Sequence, residues 1–149
     1  MSPTNISPPP SGTPQLPKGN ETIVFVEDEE LIRKLFHRVL DSLGYEVITA
    51  ADGAIALELV KDFTDRIDLI LSDVVMPNVR GPEFVSQARK IRSDFKVLYT
   101  TGYTIEAALG DAFANTPEER YADLLPKPYT PQQLAVHIRR ILDEERVAA

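Results

Sequence analysis

The sequence contains no cysteine and few histidines, and it has no long apolar run. The lack of cysteine excludes disulfides, thiolate zinc sites and cysteine nucleophiles. The two histidines, His37 and His137, are too far apart in sequence to form a histidine-rich metal cluster by themselves. No apolar run approaches the roughly 18 residues that indicate a membrane span. We therefore expect no membrane partner and no metal site built from cysteines or from histidines alone.

The sequence also lacks an excess of basic residues. Its 149 residues include 16 Lys and Arg against 23 Asp and Glu, which gives a formal net charge of −7. This acidic balance argues against a broad contact with a phosphate backbone, so we expect no nucleic-acid partner. The apolar fraction of 43% is ordinary for a globular protein, and the length suits one domain.

Proline is concentrated at the start of the chain. Residues 1–21 contain six of the twelve prolines, and such a segment cannot bury enough apolar surface to offset the entropy of ordering it. It also lacks the cationic start and apolar centre of a secretory signal, so we expect a cytoplasmic protein. We interpret 1–21 as a disordered Pro-rich tail or linker, 22–145 as one domain and 146–149 as a short C-terminal tail.

Short apolar runs alternate with segments of helical periodicity along residues 22–145. The predicted strands are residues 23–26, 45–49, 68–72, 96–100 and 124–125. The helical segments begin near Leu31, Asp52, Gly81, Thr104 and Thr130, and the periodicity of the third places Ile91 on its inward face. Five successive βα units predict an α/β fold: a doubly wound, five-stranded parallel sheet in the order 2-1-3-4-5, with helices on both faces.

Polar residues follow four of these strands. Ligands of an open parallel sheet bind beyond the carboxyl ends of its strands, near the point where the strand order reverses. Strand one is followed by Glu27 and Asp28, strand three ends at Asp73, and strand four ends in the run 100–102, Thr-Thr-Gly. Lys127 follows strand five. The predicted strand order brings these groups to one edge of the sheet.

Three neighbouring carboxylates repel one another unless a cation is present. A hard divalent ion suits oxygen ligands, and Mg²⁺ commonly combines one or two carboxylates with phosphate oxygens. A lysine and a hydroxyl suit phosphate oxygens as well. The pattern therefore indicates Mg²⁺ together with a phosphoryl group, with a carboxylate available as nucleophile. An acidic pair such as Glu27-Asp28 is equally typical of a helix N-terminus, and no phosphate-binding loop of the nucleotide triphosphatases is present.

These motifs identify a family resemblance that covers about residues 22–145. The chain resembles the receiver domain of two-component response regulators, which has a flavodoxin-like fold. The resemblance rests on the segments Val26–Glu29, Asp73–Pro77 followed by Gly81, Thr101-Gly102 and Lys127-Pro128. The stretches 19–23, 98–103 and 124–129 are most similar to receivers attached to hybrid histidine kinases.

The resemblance implies a role for each site residue. Asp73 is the implied phosphoacceptor, and it takes a phosphoryl group from the phosphohistidine of a histidine kinase or a histidine phosphotransfer protein. The implied Mg²⁺ ligands are Glu27 (through water), Asp28, Asp73 and the backbone carbonyl of Val75. Thr101 is the implied switch hydroxyl and Lys127 the implied phosphate contact. The bond before Pro128 is expected to be cis.

Two departures from the family concern signalling. Leu124 stands where the family often has a tyrosine or phenylalanine that changes rotamer with the switch hydroxyl. Residues 111–121 are a few residues longer than is usual before strand five. The surface built from the fourth helix, the fifth strand and the fifth helix is the one through which receivers commonly signal, and we expect a homodimer to form there.

Other functions are weighed against the phosphorylated receiver. A pseudo-receiver would keep the fold as an interaction module without phosphorylation, and the complete set of site residues argues against it. A phosphohydrolase would need a second acid where Val75 stands, so we expect no enzyme activity beyond the domain's own phosphorylation and dephosphorylation. No output domain is expected after the last helix. Met1 favours a stand-alone regulator, while the motifs favour a fragment of a hybrid kinase.

Overall fold

The computed structural model describes residues 15–76, 79–102 and 123–144. Strands and helices alternate along these ranges, apart from the break between β4 and β5, where residues lie outside the description. The elements in chain order are β1 (Thr22–Val26), α1 (Glu30–Ser42), β2 (Glu46–Ala50), α2 (Gly53–Asp62), β3 (Leu69–Asp73), α3 (Gly81–Arg89), β4 (Lys96–Thr101), β5 (Asp123–Pro126) and α4 (Pro131–Asp143).

The five strands form one parallel sheet in the order β2-β1-β3-β4-β5. This confirms the predicted flavodoxin-like topology. Every residue of β1 and of β3 is buried, as expected for strands that are covered on both faces. The predicted helical stretch from Thr104, with its interruption at 115–117, lies outside the described residues.

Two apolar cores lie on opposite faces of the sheet. Ile23 and Phe25 of β1 belong to one core, which the helices α1 and α4 cover. Val24 and Val26 belong to the other, which α2 and α3 cover. Side chains of a strand alternate between its two faces, so the short apolar run of β1 supplies both cores at once.

Specific local signals begin and end the helices. The carboxylate of Asp52 accepts a hydrogen bond from the backbone N–H of Ile55 at 2.8 Å and caps α2. Thr130 and Gln133 form a capping box at the start of α4, where a helix was predicted to begin. Gly44 follows α1 with a φ of 103°, a left-handed conformation that glycine adopts without strain.

The prediction that Ile91 faces inward is wrong. The helix α3 ends at Arg89, so Ile91 lies in the turn beyond it, where the helical period no longer sets the direction of side chains. Ile91 is 42% exposed as a result. Leu31 and Leu35 share the apolar spacing of α1, yet both are exposed, while Phe36 and Leu40 of the same helix are buried.

Residues 16–21 pack against the domain, and we call them the N-terminal strap. Leu16 contacts the core between the sheet, α1 and α4. The backbone N–H of Gly19 donates to the carbonyl of Leu43 at 3.1 Å. The end of the predicted tail is therefore attached to the folded domain. Residues 16–21 contain few apolar side chains to bury, and backbone and ionic contacts hold them instead. Residues 1–14 lie outside the described residues.

Arg139 of α4 holds the strap in place. Its guanidinium forms ion pairs with Glu21 at 2.5 Å and with Asp143 at 2.8 Å, and it donates to the carbonyl of Lys18 at 3.0 Å. A side chain at Gly19 would overlap Arg139 and Tyr45. The strap therefore depends on a glycine at this position, since the guanidinium passes directly over the backbone.

None of the helices in the described ranges combines the length and the apolar character that crossing a bilayer requires.

Candidate functional site

The carboxyl ends of four neighbouring strands carry the polar groups of the candidate site. The register pairs Val26 of β1 with Ser72 of β3, and Asp73 with Thr100 of β4. Thr101 in turn pairs with Pro126 of β5. The residues that follow the strands are therefore level with one another. They line an open cleft formed by Asp28, Glu29, Asp73, Val75, Thr100, Thr101, Gly102 and Lys127.

Lys127 bridges the two buried carboxylates of this cleft. Its Nζ lies 2.8 Å from Glu27 Oε1, 2.9 Å from Asp73 Oδ1 and 3.1 Å from Asp73 Oδ2. The backbone N–H of Lys127 donates to the carbonyl of Thr101 at 2.7 Å. The bond between Lys127 and Pro128 is cis, as predicted. The ammonium is thus placed by its own backbone and points into the acidic cluster.

Three carboxylates lie close enough together to hold one metal ion. Oxygen atoms of Glu27, Asp28 and Asp73 all lie within 4.8 Å of one another. Glu27 is fully buried and Asp73 is 4% exposed, whereas Asp28 is open to solvent. An all-oxygen set with one solvent-accessible member fits an ion such as Mg²⁺, which keeps several waters. The donor set therefore fits the predicted cofactor, and Val75 lines the same cleft.

Burial makes the ionised forms of these carboxyls unfavourable. Burial and the negative charge of Asp73 together raise the pKa of Glu27 to about 7, against the opposing effect of Lys127. Burial likewise raises the pKa of Asp73, against the hydrogen bonds from Thr100 and Lys127. Burial lowers the pKa of Lys127, but its contacts with Glu27 and Asp73 outweigh this and leave that pKa raised. One ammonium does not fully compensate the acidic groups.

Thr101, the predicted switch hydroxyl, is buried and lines the cleft. The hydroxyl that donates to Asp73 Oδ1, however, belongs to Thr100. The sequence pattern identifies Thr100 only as part of strand four. The signal that could have identified it is the register: residues paired on parallel neighbours direct their side chains to the same face, and Thr100 pairs with Asp73.

Gly81, the first residue of α3, has a steric role. The backbone N–H of Gly81 donates to the carbonyl of Val74 at 2.8 Å. A Cβ at this position would overlap the carbonyl oxygen of Asp73. Only glycine lets the start of α3 approach the end of β3 so closely, so this approach requires glycine at position 81.

Some predicted signalling features fall outside the described residues. The long stretch 111–121 lies there, as does the fourth helix of the predicted dimer face. Leu124, which replaces the aromatic residue, is half-buried against the core beneath α2 and α3.

Comparison with known proteins gives one consistent match. A family model described as the response regulator receiver domain matches residues 23–139. The sensor kinase CckA of Brucella abortus (strain 2308) is 38% identical over 128 residues, which are 85% of this chain and 13% of the kinase. The response regulator receiver protein CpdR of the same organism is 31% identical over 120 residues, which are 80% of this chain and 95% of CpdR.

Solved structures give the same result. The receiver domain of the hybrid histidine kinase CckA superimposes with a TM-score of 0.67 at 34% identity, covering 82% of this chain and 99% of that domain. A CheY-like receiver domain protein from Methanospirillum hungatei JF-1 superimposes with a TM-score of 0.68 at 27% identity, covering 84% of this chain and 95% of that protein. The chain spans about half or less of the length of several curated relatives that it matches.

Proposed function

Because the chain belongs to the response regulator receiver domain family, we propose that it accepts a phosphoryl group on Asp73 in a two-component or phosphorelay system. The donor is the phosphohistidine of a histidine kinase or of a histidine phosphotransfer protein. The observation that carries the proposal is the bridging position of Lys127, whose ammonium lies 2.8 Å from Glu27 and 2.9 Å from Asp73. An ammonium in this position supports the proposal, because it would hold phosphoryl oxygens by charge-assisted hydrogen bonds.

The transfer step uses groups of this chain in defined roles. A carboxylate oxygen of Asp73 attacks the phosphorus, and the P–N bond of the donor breaks as the new O–P bond forms. The imidazole of the donor keeps the electron pair. Lys127 compensates the charge on the phosphoryl oxygens, and it is positioned by its backbone bond to Thr101 before the donor arrives. Such positioning is the main contribution a protein makes to phosphoryl transfer.

Glu27, Asp28 and Asp73 would hold Mg²⁺, together with the backbone carbonyl of Val75. The ion supplies positive charge that neutralises the phosphoryl oxygens and the acidic cluster. Asp28 is the exposed member of the set, so exchange with solvent would take place on its side. Glu27 is fully buried and its Oε2 accepts from the backbone N–H of Glu29 at 3.0 Å, which suits an indirect role through a water.

The output of the switch is proposed to run through Thr101. This hydroxyl stands beside the cleft at the end of β4, where it would move onto the phosphoryl oxygens. The response would reach partners through the surface formed by the predicted helix from Thr104, by β5 and by the last helix, α4. A homodimer would form through the same surface. We place this signalling in the cytoplasm, without nucleic acid or membrane as a direct partner and without catalysis on other substrates.

A pseudo-receiver is the alternative, and the side chains argue against it. The raised pKa values of Glu27 and Asp73 show that burying their charged forms is unfavourable. A module that only binds partners would gain nothing from this cluster or from the ammonium that points into it. A site that binds a cation together with a phosphoryl group accounts for this unfavourable cluster, because strongly shifted pKa values are typical of functional sites.

The test is phosphorylation with phosphoramidate, a small donor with a P–N bond, in the presence of Mg²⁺. Intact-mass spectrometry of the wild type should show one added phosphoryl group, and the Asp73→Asn variant should show none. Asp62→Asn, which changes an exposed carboxylate at the end of α2, is the matched control and should be labelled like the wild type. Labelling of Asp73→Asn to the wild-type level would falsify the assignment. A folded wild type that takes up no phosphoryl group from this donor or from a phosphohistidine protein would favour the pseudo-receiver.

A further inference from the structure

We propose that Thr100 is a positioning residue for Asp73: its hydroxyl holds Oδ1, reserves Oδ2 for the phosphoryl group, and shortens the lifetime of the aspartyl phosphate. The inference rests on the proposed function, since it concerns the fate of the phosphoryl group on Asp73. It assigns a role to a residue that stands beside the switch threonine and is distinct from it.

The contact between Thr100 and Asp73 is built into the sheet. The two residues are paired in the register of β3 and β4, and the backbone N–H of Val74 donates to the carbonyl of Thr100 at 2.9 Å. Thr100 is 1% exposed, and its Oγ1 donates to Asp73 Oδ1. A β-branched side chain in a strand has few rotamers, so the hydroxyl is fixed in this direction without help from solvent.

The hydrogen bond makes the two oxygens of Asp73 unequal. Oδ1 accepts from Thr100 and lies 2.9 Å from Lys127 Nζ, while Oδ2 lies 3.1 Å from the same ammonium. Among the contacts of the described residues, Oδ2 thus accepts fewer and longer hydrogen bonds than Oδ1. Its lone pairs are the more available ones, and we assign the new bond to phosphorus to Oδ2.

The same hydrogen bond changes in strength when the phosphoryl group is added or lost. In the free protein Thr100 donates to a charged carboxylate, whereas in the aspartyl phosphate it donates to a neutral carbonyl oxygen. Hydrogen bonds to charged acceptors are the stronger ones. In hydrolysis the Oδ2–P bond breaks, its electron pair returns to the carboxylate, and the water oxygen bonds to phosphorus. Thr100 stabilises the returning negative charge and therefore favours dephosphorylation.

Removing the hydroxyl should consequently lengthen the lifetime. Thr100→Val keeps the shape of the side chain and removes the donor, and we expect its phosphoprotein to decay about threefold to tenfold more slowly than the wild type, the change expected from losing part of one charge-assisted hydrogen bond. Thr100→Ser keeps the donor and should decay at the wild-type rate. A purely structural role predicts instead that the serine variant, which loses a methyl group, is altered at least as much as the valine variant.

The experiment follows the decay of purified phosphoprotein by intact-mass spectrometry after removal of the phosphoramidate. Thr49→Val, which removes a hydroxyl from β2 outside the cleft, is the control and should leave the rate unchanged. If Thr100→Val does not fold, as judged by circular dichroism, Thr100→Ala takes its place with the same expectation. Equal decay of the wild type and the donor-free variant, or faster decay of that variant, overturns this inference alone. A wild type that takes up no phosphoryl group overturns the proposed function and this inference with it.

Discussion

The two ends of the sheet differ in how far their charged groups are compensated by groups of opposite charge. At the carboxyl end three carboxylates, Glu27, Asp28 and Asp73, lie close together, and among the described residues the ammonium of Lys127 pairs with two of them, Glu27 and Asp73. At the amino end Arg139 pairs with Glu21 and Asp143, and the ammonium of Lys96 donates to backbone carbonyls at the end of α4. The first edge is short of positive charge, while the second is compensated by groups of the chain itself.

The pKa shifts at the two ends differ in direction for this reason. Burial raises the pKa of Asp73, whereas the hydrogen bonds from Arg139 lower the pKa of Glu21. A raised carboxyl pKa means that folding opposes the charged form, and a lowered one means that folding favours it. The amino end therefore stabilises the domain, and the carboxyl end carries a cost that a bound cation would relieve.

The largest expected effect comes from breaking the compensated end. Arg139→Leu removes the guanidinium that joins the strap, α4 and Tyr45, and it leaves Glu21 partly buried without its cation. We expect the free energy of unfolding to fall by about 2 kcal/mol, measured by urea denaturation.

Arg140→Leu is the matched control for that prediction. The side chain of Arg140 is 47% exposed, and it pairs with Asp123 and Glu144 at longer distances of 3.2 and 3.5 Å. Exposed pairs contribute about 0–1 kcal/mol, so the loss should be small. Equal losses for the two variants would contradict the view that Arg139 fastens the strap.

A smaller effect of opposite sign is expected at the carboxyl end. Asp73→Asn removes one of the repelling charges while its amide can still accept from Thr100. Without Mg²⁺ we expect this variant to be more stable than the wild type by about 1 kcal/mol, because part of the cost of burying the carboxylate disappears. Thermal unfolding in EDTA measures the difference. The advantage should shrink when Mg²⁺ is added, since the ion would stabilise the wild type more; a less stable variant in EDTA would show that the edge is already compensated.

The smallest expected effect is the pH dependence of the stability that Glu21 contributes at the amino end. The pKa of Glu21 is lowered in the folded state, so its stabilising contribution is present above the unfolded value of about 4.3 and is lost as the pH falls through the lower folded value. Glu21→Gln removes this contribution. The stability difference between wild type and variant should be largest near neutral pH and should narrow below about pH 4, as measured by urea denaturation at several pH values. A difference that widens in acid would reverse the assigned sign.

The sequence was sufficient to predict the sheet order and the meeting of the site residues. Strands buried on both faces have a recognisable apolar run, and a parallel sheet brings the ends of its strands to one edge. The caps at Asp52 and Thr130 were predictable because they depend on a few consecutive residues.

Features that depend on register or on distant contacts were not predicted. Thr100 was assigned no role because its importance comes from pairing with Asp73 across the sheet. The contacts of the strap with Arg139 join residues more than a hundred positions apart, so the composition of residues 1–21 does not reveal them. Ile91 was placed inward because an apolar period does not reveal where a helix stops.

The position of the strap also determines how the domain can be connected to other segments. Residues 16–21 meet the end of α4 at the amino edge of the sheet, on the side opposite Asp73. The strap and the end of α4 therefore lie together and away from the acidic cleft. Neighbouring entry and exit points are the arrangement that tolerates insertion into a longer polypeptide. A segment joined at either of these two points therefore need not cross the opening of the acidic cleft.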